Sequence, residues 1–426
     1  YVNKGKDIES KFEIQLKGGI LLENPNKIGV SNLLADLLTK GTANKTPEDL
    51  ENAIETLGAS INARASKEAI TISGNTLAKN YEKTMALVQE ILLEPRWDEK
   101  EFDLLKQSTL AQIERQKAQP NSIANNEFDK LIYGENHILS HDNLGTKSSV
   151  NAITIDDLKA YYDAYFSPSI TKFHVVGAIS KDKVTKSLTD LNSNWVPKSV
   201  EFPNIPDPGA PDVSKVYFYD VPGAKQSVLS FGYPALAATD VDYYPASLLN
   251  YRLGGGGFAS QLTQQLREGK GYTYGIGSGF SGSTIKGTFQ ISSGVRSNVT
   301  YESASLVKEI LENYGENYNE NDLEVTKGYM IKSTARAFET LQSKLNMLTN
   351  ISNYGYSDDY AKQREDIVKS MTVEQIKALA EKYLNPNKMI YLVVGDAATQ
   401  MDKLEGLGFG KPELLNEIET EETIQQ

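Results

Sequence analysis

The sequence of 426 residues has no cysteine and only three histidines. Because disulfides and thiolate metal sites both need cysteine, the chain can form neither. No apolar run approaches the roughly 20 residues that a membrane-spanning helix requires. Basic residues are outnumbered by acidic ones, 44 against 56, and the net charge of −12 argues against nucleic-acid binding, which needs a basic surface.

The absence of cysteine fits a periplasmic, mitochondrial-matrix or cytoplasmic location equally well. The sequence begins at Tyr1 without a methionine, which is compatible with removal of a leader or with a further segment upstream. Among these locations we expect the periplasm.

An internal repeat indicates that one domain occurs twice. Residues 154–177 resemble residues 372–395 at a constant offset of 218 positions, and residues 81–92 resemble residues 301–311 in the same order. Each copy alternates between strand-like and helix-like hydrophobic periods. The sequence therefore predicts an α+β fold of two homologous domains, each a mainly antiparallel sheet with helices packed on one face.

Proline marks the junction between the two copies. Residues 200–211 contain four prolines and cannot form a regular element, so they are interpreted as a stiffened linker. We predict a first domain at 1–198, a Pro-rich linker at 199–212 and a second domain at 213–410. Residues 411–426 are predicted to be an acidic tail.

An amphipathic helix is predicted early in the first copy. Its apolar residues recur at helical spacing and end before Gly41: Val30, Leu33, Leu34, Leu37 and Leu38. On the other side, Asn32, Ala35 and Asp36 fall within about 100° of one another, the geometry by which a helix presents two ligands and a general base to a metal ion.

The frame Gly-Val-x-x-Leu-Leu-x-x-Leu-Leu-x-Lys-Gly-Thr resembles the zinc helix of the pitrilysin or insulinase-like metallopeptidases, whose motif is His-x-x-Glu-His. The resemblance places Asn32 and Asp36 at the two histidines and Ala35 at the glutamate. The family's third ligand, a glutamate on a later helix, falls on Gln112, and Glu114 lies about 200° further around that helix. Since an amide, a methyl group and one carboxylate do not make a zinc site, we predict no metal in this chain.

Residues 254–257 are four consecutive glycines before a predicted helix. Such a run could bind phosphate through exposed backbone N–H groups. Neither the Walker A motif nor the dinucleotide fingerprint is completed around it. A turn that allows close approach of the backbone is the simpler interpretation.

The glycine run also belongs to a longer motif. Gly-Gly-Gly-Phe-x-Ser-x-Leu, followed by Leu-Arg-Glu and a tyrosine seven residues after the arginine, resembles the second-domain signature of the same family. The resemblance implies that Arg267 and Tyr274 hold the scissile carbonyl of a bound peptide. Tyr272, two residues before Tyr274, is a second candidate for substrate binding, and a surface ion pair with a buried strand tyrosine is the alternative interpretation.

The three histidines do not complete a metal site in the sequence. His137 and His141 have i, i+4 spacing but lie in a turn-rich segment without a third ligand. His174 falls inside a predicted strand and is interpreted as a core or edge residue.

The resemblance spans nearly all of residues 1–410 and combines a degenerate zinc helix with a retained arginine and tyrosine. In this family some peptidases are heterodimers, in which one subunit holds zinc and the other supplies these two residues. The resemblance therefore implies a non-catalytic subunit, or half of a longer peptidase, that is no enzyme on its own. It would complete a zinc metalloendopeptidase with a His-x-x-Glu-His partner that carries the zinc, and it would bind unfolded peptides.

Three alternatives remain. The chain could be a structural core subunit that takes part in assembly only, or a stand-alone peptide-binding module. It could also be a single-chain peptidase that uses Asp36 and Gln112 with another metal, which is the reading that the residues favour least.

Overall fold

A computed structural model describes residues 9–336 and 338–416. The strands are β1 (Glu9–Lys17), β2 (Ser60–Ala65), β3 (Ala69–Leu77), β4 (Thr171–Gly177), β5 (Lys215–Asp220), β6 (Gln226–Pro234), β7 (Thr273–Phe280), β8 (Thr288–Arg296), β9 (Ile390–Gly395) and β10 (Glu413–Leu414). Most of the predicted acidic tail, residues 417–426, lies outside the described residues.

The helices lie between β1 and β10 in the order of the chain. They are α1 (Val30–Leu38), α2 (Pro47–Thr56), α3 (Tyr81–Leu93), α4 (Glu99–Lys117), α5 (Pro120–Tyr133), α6 (Lys147–Ala152), α7 (Ile155–Tyr165), α8 (Lys181–Asn194), α9 (Tyr243–Asn250), α10 (Thr300–Asn317), α11 (Glu320–Arg336), α12 (Leu341–Tyr354), α13 (Tyr360–Ser370), α14 (Val373–Tyr383) and α15 (Ala397–Gln400). Within the described residues, no helix is both long and apolar enough to cross a membrane.

The chain folds into two compact units. The N-terminal unit contains residues up to Arg115, 141–205 and 336–352, and the C-terminal unit contains 116–140, 206–335 and the residues from Asn353 onward. Each unit has its own sheet and its own apolar core.

The sheet of the N-terminal unit has the strand order β2-β3-β1-β4 and is antiparallel throughout. Side chains alternate along β1, so that Phe12, Ile14 and Leu16 are buried in the core of this unit. The helix α1 contributes Leu33, Leu34, Leu37 and Leu38 to the same core.

The sheet of the C-terminal unit has the strand order β10-β5-β9-β6-β8-β7. The pairs of β5 with β9 and of β5 with β10 are parallel, whereas β6, β7, β8 and β9 pair antiparallel. The prediction of two α+β domains with mainly antiparallel sheets is confirmed.

The internal repeat has a direct structural counterpart. The helices α7 and α14 have the same length, and each begins after a threonine in a capping box, Thr154 with Asp157 and Thr372 with Gln375. Each helix is followed by a strand, β4 or β9, that joins the sheet of its unit.

One helix of each copy belongs to the compact unit of the other copy. The helix α5 lies in the C-terminal unit, where Phe128 and Ile132 share an apolar cluster with Val228 and Leu392. The neighbours of Val228 on β6 and of Leu392 on β9 point to the other face of the sheet and lie in the main core. The helix α5 therefore covers the sheet face opposite the main core.

The helix α12 is the counterpart of α5 in the second copy, and most of it belongs to the N-terminal unit. Lys11 Nζ lies 3.2 Å from Gln342 Oε1, and Thr349 Oγ1 lies 3.5 Å from Glu13 Oε1. The predicted boundaries at 198 and 213 describe the sequence repeat and stay a prediction, whereas the compact units include this exchange of helices.

Candidate functional site

The N-terminus of α1 is held by a buried carboxylate. Glu23 accepts hydrogen bonds from the backbone N–H groups of Gly29 and Ser31, at 2.8 and 2.6 Å. Burial raises the pKa of Glu23, and the hydrogen bonds that it accepts partly offset that rise. The N-terminus of α1 is therefore fixed by a side chain six to eight residues upstream.

The polar side of α1 carries an amide and a carboxylate. Asn32 and Asp36 are half-buried, and Asn32 Nδ2 lies 3.5 Å from Asp36 Oδ2. Burial raises the pKa of Asp36, and the charge of Lys40 partly offsets that rise. Ala35 does not share this polar side with Asn32 and Asp36. The apolar core extends around the helix as far as Ala35 and buries it fully.

The predicted third ligand position lies on α4. Gln112 and Glu114 are exposed, and Ile113 between them is the residue that reaches the core. Glu114 lies 3.8 Å from Lys147. In the described parts of the chain, no group of three or more His, Asp and Glu side chains is placed to hold a metal ion.

The three histidines occupy different places in the fold. The ring of His137 stacks on Tyr133 at 5.3 Å, and its Nε2 lies 3.0 Å from the carbonyl oxygen of Pro206. His141 belongs to the other compact unit. His174 is buried on β4, where desolvation lowers its pKa.

The glycine run begins inside the π-helical turn Tyr251–Gly255 and ends before a second one, Thr263–Gly269. A Cβ on Gly254 would lie 2.6 Å from the backbone nitrogen of Ser278, so no larger residue fits there without displacing β7. Asn250 Nδ2 donates to the carbonyl oxygen of Ser278 at 2.7 Å and holds the strand at this distance. The close-approach interpretation of the glycines is thus supported by their packing. Single π-helical turns are also frequent at functional sites.

The turn Gly257–Ala259 is pinned from several sides. Arg252 pairs with Asp322 at 2.8 Å and also donates to the carbonyl oxygen of Ala259. Gln264 Nε2 donates to the carbonyl oxygen of Phe258 at 2.6 Å. The backbone of Phe258 is therefore fixed, whereas its ring is 61% exposed.

Arg267 lies on the second π-helical turn and is half-buried. Its Cζ lies 4.6 Å from the ring centroid of Phe258, within the range of a cation–π contact. Its Nε lies 3.4 Å from Glu268 Oε1. The predicted arginine is thus held by two neighbours on the surface of the C-terminal unit.

A β-bulge turns Tyr274 outward at the start of β7. Thr273 pairs with Val295 and Ile276 pairs with Ser293, which leaves one extra residue in β7. The Thr273 hydroxyl donates to the carbonyl oxygen of Gly294 at 2.7 Å and stabilises this irregularity. As a result the Tyr274 side chain is 87% exposed, not buried in the strand.

Tyr272, the second tyrosine candidate, is half-buried just before β7. Its backbone N–H donates to the carbonyl oxygen of Leu266 at 2.9 Å, and its carbonyl oxygen accepts from the backbone N–H of Arg296 at 3.3 Å. Of the two tyrosines, Tyr274 is the more exposed. Which of them binds a ligand stays a prediction.

Sequence reasoning missed the residues that shape this site. Arg252 and Asp322 are 70 positions apart, and no local pattern joins them. Phe258 lies within the recognised motif, but only the structure shows its contact with Arg267.

Two sequence models of one family match this chain. Residues 1–141 match the model described as insulinase (peptidase family M16), and residues 152–329 match the model described as peptidase M16 inactive domain. This chain belongs to the M16 peptidase family. The recognition made from the sequence motifs is confirmed.

Relatives and solved structures extend the similarity over most of the chain. A protein of Helicobacter pylori named non-peptidase homolog YmxG is 24% identical over 90% of this chain and 88% of its own length. An uncharacterized zinc protease of Streptomyces coelicolor is 25% identical over 76% of this chain and 72% of its own length. The crystal structure of a peptidase M16 inactive domain from Pseudomonas fluorescens superposes with a TM-score of 0.87 and 26% identity, over 94% of this chain and 96% of that chain.

Proposed function

We propose that this M16 family member is the non-catalytic subunit, or half, of a heterodimeric zinc peptidase. The observation that carries the proposal is a contrast between two sites in one chain. In α1, Asn32 and Asp36 would stand at the zinc-ligand positions of the family motif. Arg267 and Tyr274, the residues that resemble the second-domain motif, have half-buried and exposed side chains respectively.

The chemistry of the retained pair suits amide hydrolysis. As water attacks a peptide carbonyl, its oxygen becomes an oxyanion, and a guanidinium and a phenol hydroxyl are both donors for that oxygen. One such donor is typically worth about 3–4 kcal/mol of transition-state stabilisation. Arg267 and Tyr274 would supply this stabilisation, and a homologous partner with the His-x-x-Glu-His motif would hold the zinc that activates the water.

The position of Tyr274 also suits the binding of an extended peptide. It lies on β7, which is the terminal strand in the sheet order of the C-terminal unit. An extended substrate could add to this edge through backbone hydrogen bonds, with no requirement for a particular sequence. We therefore propose unfolded peptides as substrates, in the periplasm, where such peptides would reach a secreted heterodimer.

The names of two relatives support the absence of activity in the chain by itself. The Helicobacter pylori relative is named a non-peptidase homolog, and the structural relative is described as an inactive domain. A subunit that lacks the metal but keeps the donors explains both the loss of the motif and the retention of the pair.

The test is peptide cleavage in a reconstituted mixture. This chain, the His-x-x-Glu-His homologue and their mixture are compared on a quenched fluorescent peptide. Cleavage is expected in the mixture, and Arg267→Ala or Tyr274→Phe should each lower kcat by about 100- to 1,000-fold, the usual effect of removing one oxyanion donor. Tyr272→Phe is compared alongside, because Tyr272 is the second tyrosine candidate. A loss of rate in Tyr272→Phe and not in Tyr274→Phe would assign the phenol donor to Tyr272.

The same experiment separates the alternatives. If the mixture cleaves the peptide equally fast with either substitution, this chain has a structural role in assembly and not a catalytic one. Tight peptide binding by this chain alone, with no added cleavage in any mixture, would indicate a stand-alone peptide-binding module.

A further inference from the structure

Phe258 combines a fixed backbone with an exposed ring. Its carbonyl oxygen accepts from Gln264, and the next residue, Ala259, is held by Arg252. Its side chain is 61% exposed and therefore adds little to the core of the C-terminal unit. What the ring does contact is the guanidinium of Arg267, at 4.6 Å.

We propose that Phe258 is a positioning residue for Arg267. Its ring, held by the pinned turn, fixes the guanidinium in the orientation in which it meets the substrate carbonyl. The inference rests on the proposed function, because it assigns Phe258 a role through Arg267.

An arginine on a surface helix needs such a support. Its long side chain loses conformational entropy when a substrate holds it in one rotamer. A fixed partner that orders the side chain before the substrate binds lowers this entropic cost of binding. Phe258 covers one face of the guanidinium, and Glu268 faces its Nε at 3.4 Å. These two contacts fix the plane of the Arg267 guanidinium and the position of its Nε. The two terminal nitrogens are then directed outward as hydrogen-bond donors for an oxyanion.

The contact depends on the aromatic ring and not on apolar volume. A cation–π contact comes from the electrostatic quadrupole of the ring, which leucine lacks and tyrosine keeps. Leucine at position 258 should therefore release Arg267 without a large change in size, and tyrosine should hold it. These two variants form a matched pair.

The experiment has a spectroscopic and a kinetic readout. In the isolated chain with ¹⁵N-labelled arginine, the Nε–Hε signal of Arg267 is identified by its loss in Arg267→Lys. Phe258→Leu should shift that signal as the ring current is lost, and Phe258→Tyr should leave it nearly in place. In the mixture with the His-x-x-Glu-His homologue, Phe258→Leu should lower kcat about tenfold, with KM little changed, and Phe258→Tyr should restore it.

The outcomes distinguish the two proposals. The inference about Phe258 is overturned if the Arg267 signal does not move in Phe258→Leu. It is also overturned if Arg267→Ala lowers kcat but Phe258→Leu does not. A normal rate in Arg267→Ala overturns the proposed function itself, and with it any role of Phe258 in cleavage. Equal unfolding midpoints of the leucine and tyrosine variants ensure that a loss of fold does not explain the difference.

Discussion

Asn32 and Asp36 face each other across one turn of α1, with 3.5 Å between Nδ2 and Oδ2. An amide and one carboxylate are a weak donor set for zinc, which is held in proteins by three or four imidazole, thiolate or carboxylate ligands. We expect the purified chain, incubated with zinc and then desalted, to retain far less than one zinc ion per chain by elemental analysis. Stoichiometric zinc that disappears in Asp36→Ala would contradict this expectation.

Glu23 should stabilise the fold through α1. Replacement by alanine leaves the buried N–H groups of Gly29 and Ser31 without their acceptor, so the free energy of unfolding should fall by about 1–3 kcal/mol. Glu23→Gln keeps an acceptor oxygen and should cost less than Glu23→Ala. Urea unfolding of the three proteins measures the difference, and an unchanged stability in Glu23→Ala would show that the capping contact contributes nothing.

The raised pKa of Glu23 predicts that the free energy of unfolding depends on pH. Because burial raises the pKa of Glu23 in the folded chain, the folded state holds its proton more tightly than the unfolded state does. This contribution is fully present below pH 4.5, the ordinary pKa of the group, and is lost as the pH rises through the folded-state value. The unmodified chain should thus lose stability relative to Glu23→Gln as the pH rises above 4.5. A difference that stays constant or moves in the opposite direction would contradict the prediction.

The exchange of helices predicts where a mutation in α5 has its effect. Phe128 is 2% exposed and packs in the apolar cluster of the C-terminal unit, so Phe128→Ala should cost about 3–5 kcal/mol. Hydrogen exchange should increase in β9, which is more than 250 residues away in the sequence, and not in β1. The exposed residue Asn125 on the same helix provides the control, Asn125→Ala. Increased exchange confined to β1 would show that α5 belongs to the other unit.

Two glycines of the run should respond differently to alanine. In Gly254→Ala the new Cβ meets the backbone of Ser278, so the π-helical turn must shift, at a cost of about 1–3 kcal/mol or more. Gly257 has φ +55° and open space around its Cβ position, so Gly257→Ala should cost only about 1–2 kcal/mol of backbone strain. Because Gly254 packs on β7, its variant should also lower cleavage in the mixture. Thermal unfolding and the peptide assay together compare the pair, and a normal rate in Gly254→Ala would separate the turn from the site.

Local patterns in the sequence were sufficient for much of the fold. The threonine caps at Thr154 and Thr372, with the strands that follow them, made the duplication visible because capping and strand periodicity are encoded within about 25 residues. The apolar face of α5 is equally visible, but its periodicity does not say which sheet it covers. The exchange of helices therefore appears only in the tertiary structure.

The residue types of the candidate site could be predicted from the sequence. The tertiary contacts that position these residues could not. The motif around Arg267 and Tyr274 is local, whereas the bulge that exposes Tyr274 depends on hydrogen bonding to β8. The burial of Ala35 could not be predicted from helical angle alone, because it depends on how far the core of the N-terminal unit extends around α1.

The central claim is that the metal and the carbonyl-binding donors are divided between two chains. The most direct test titrates this chain into a fixed amount of the His-x-x-Glu-His homologue and follows the initial rate of peptide cleavage. We expect no cleavage by this chain alone and a rate that rises to a plateau at one chain per homologue. Cleavage by this chain alone, or a rate that does not depend on its concentration, would contradict the claim.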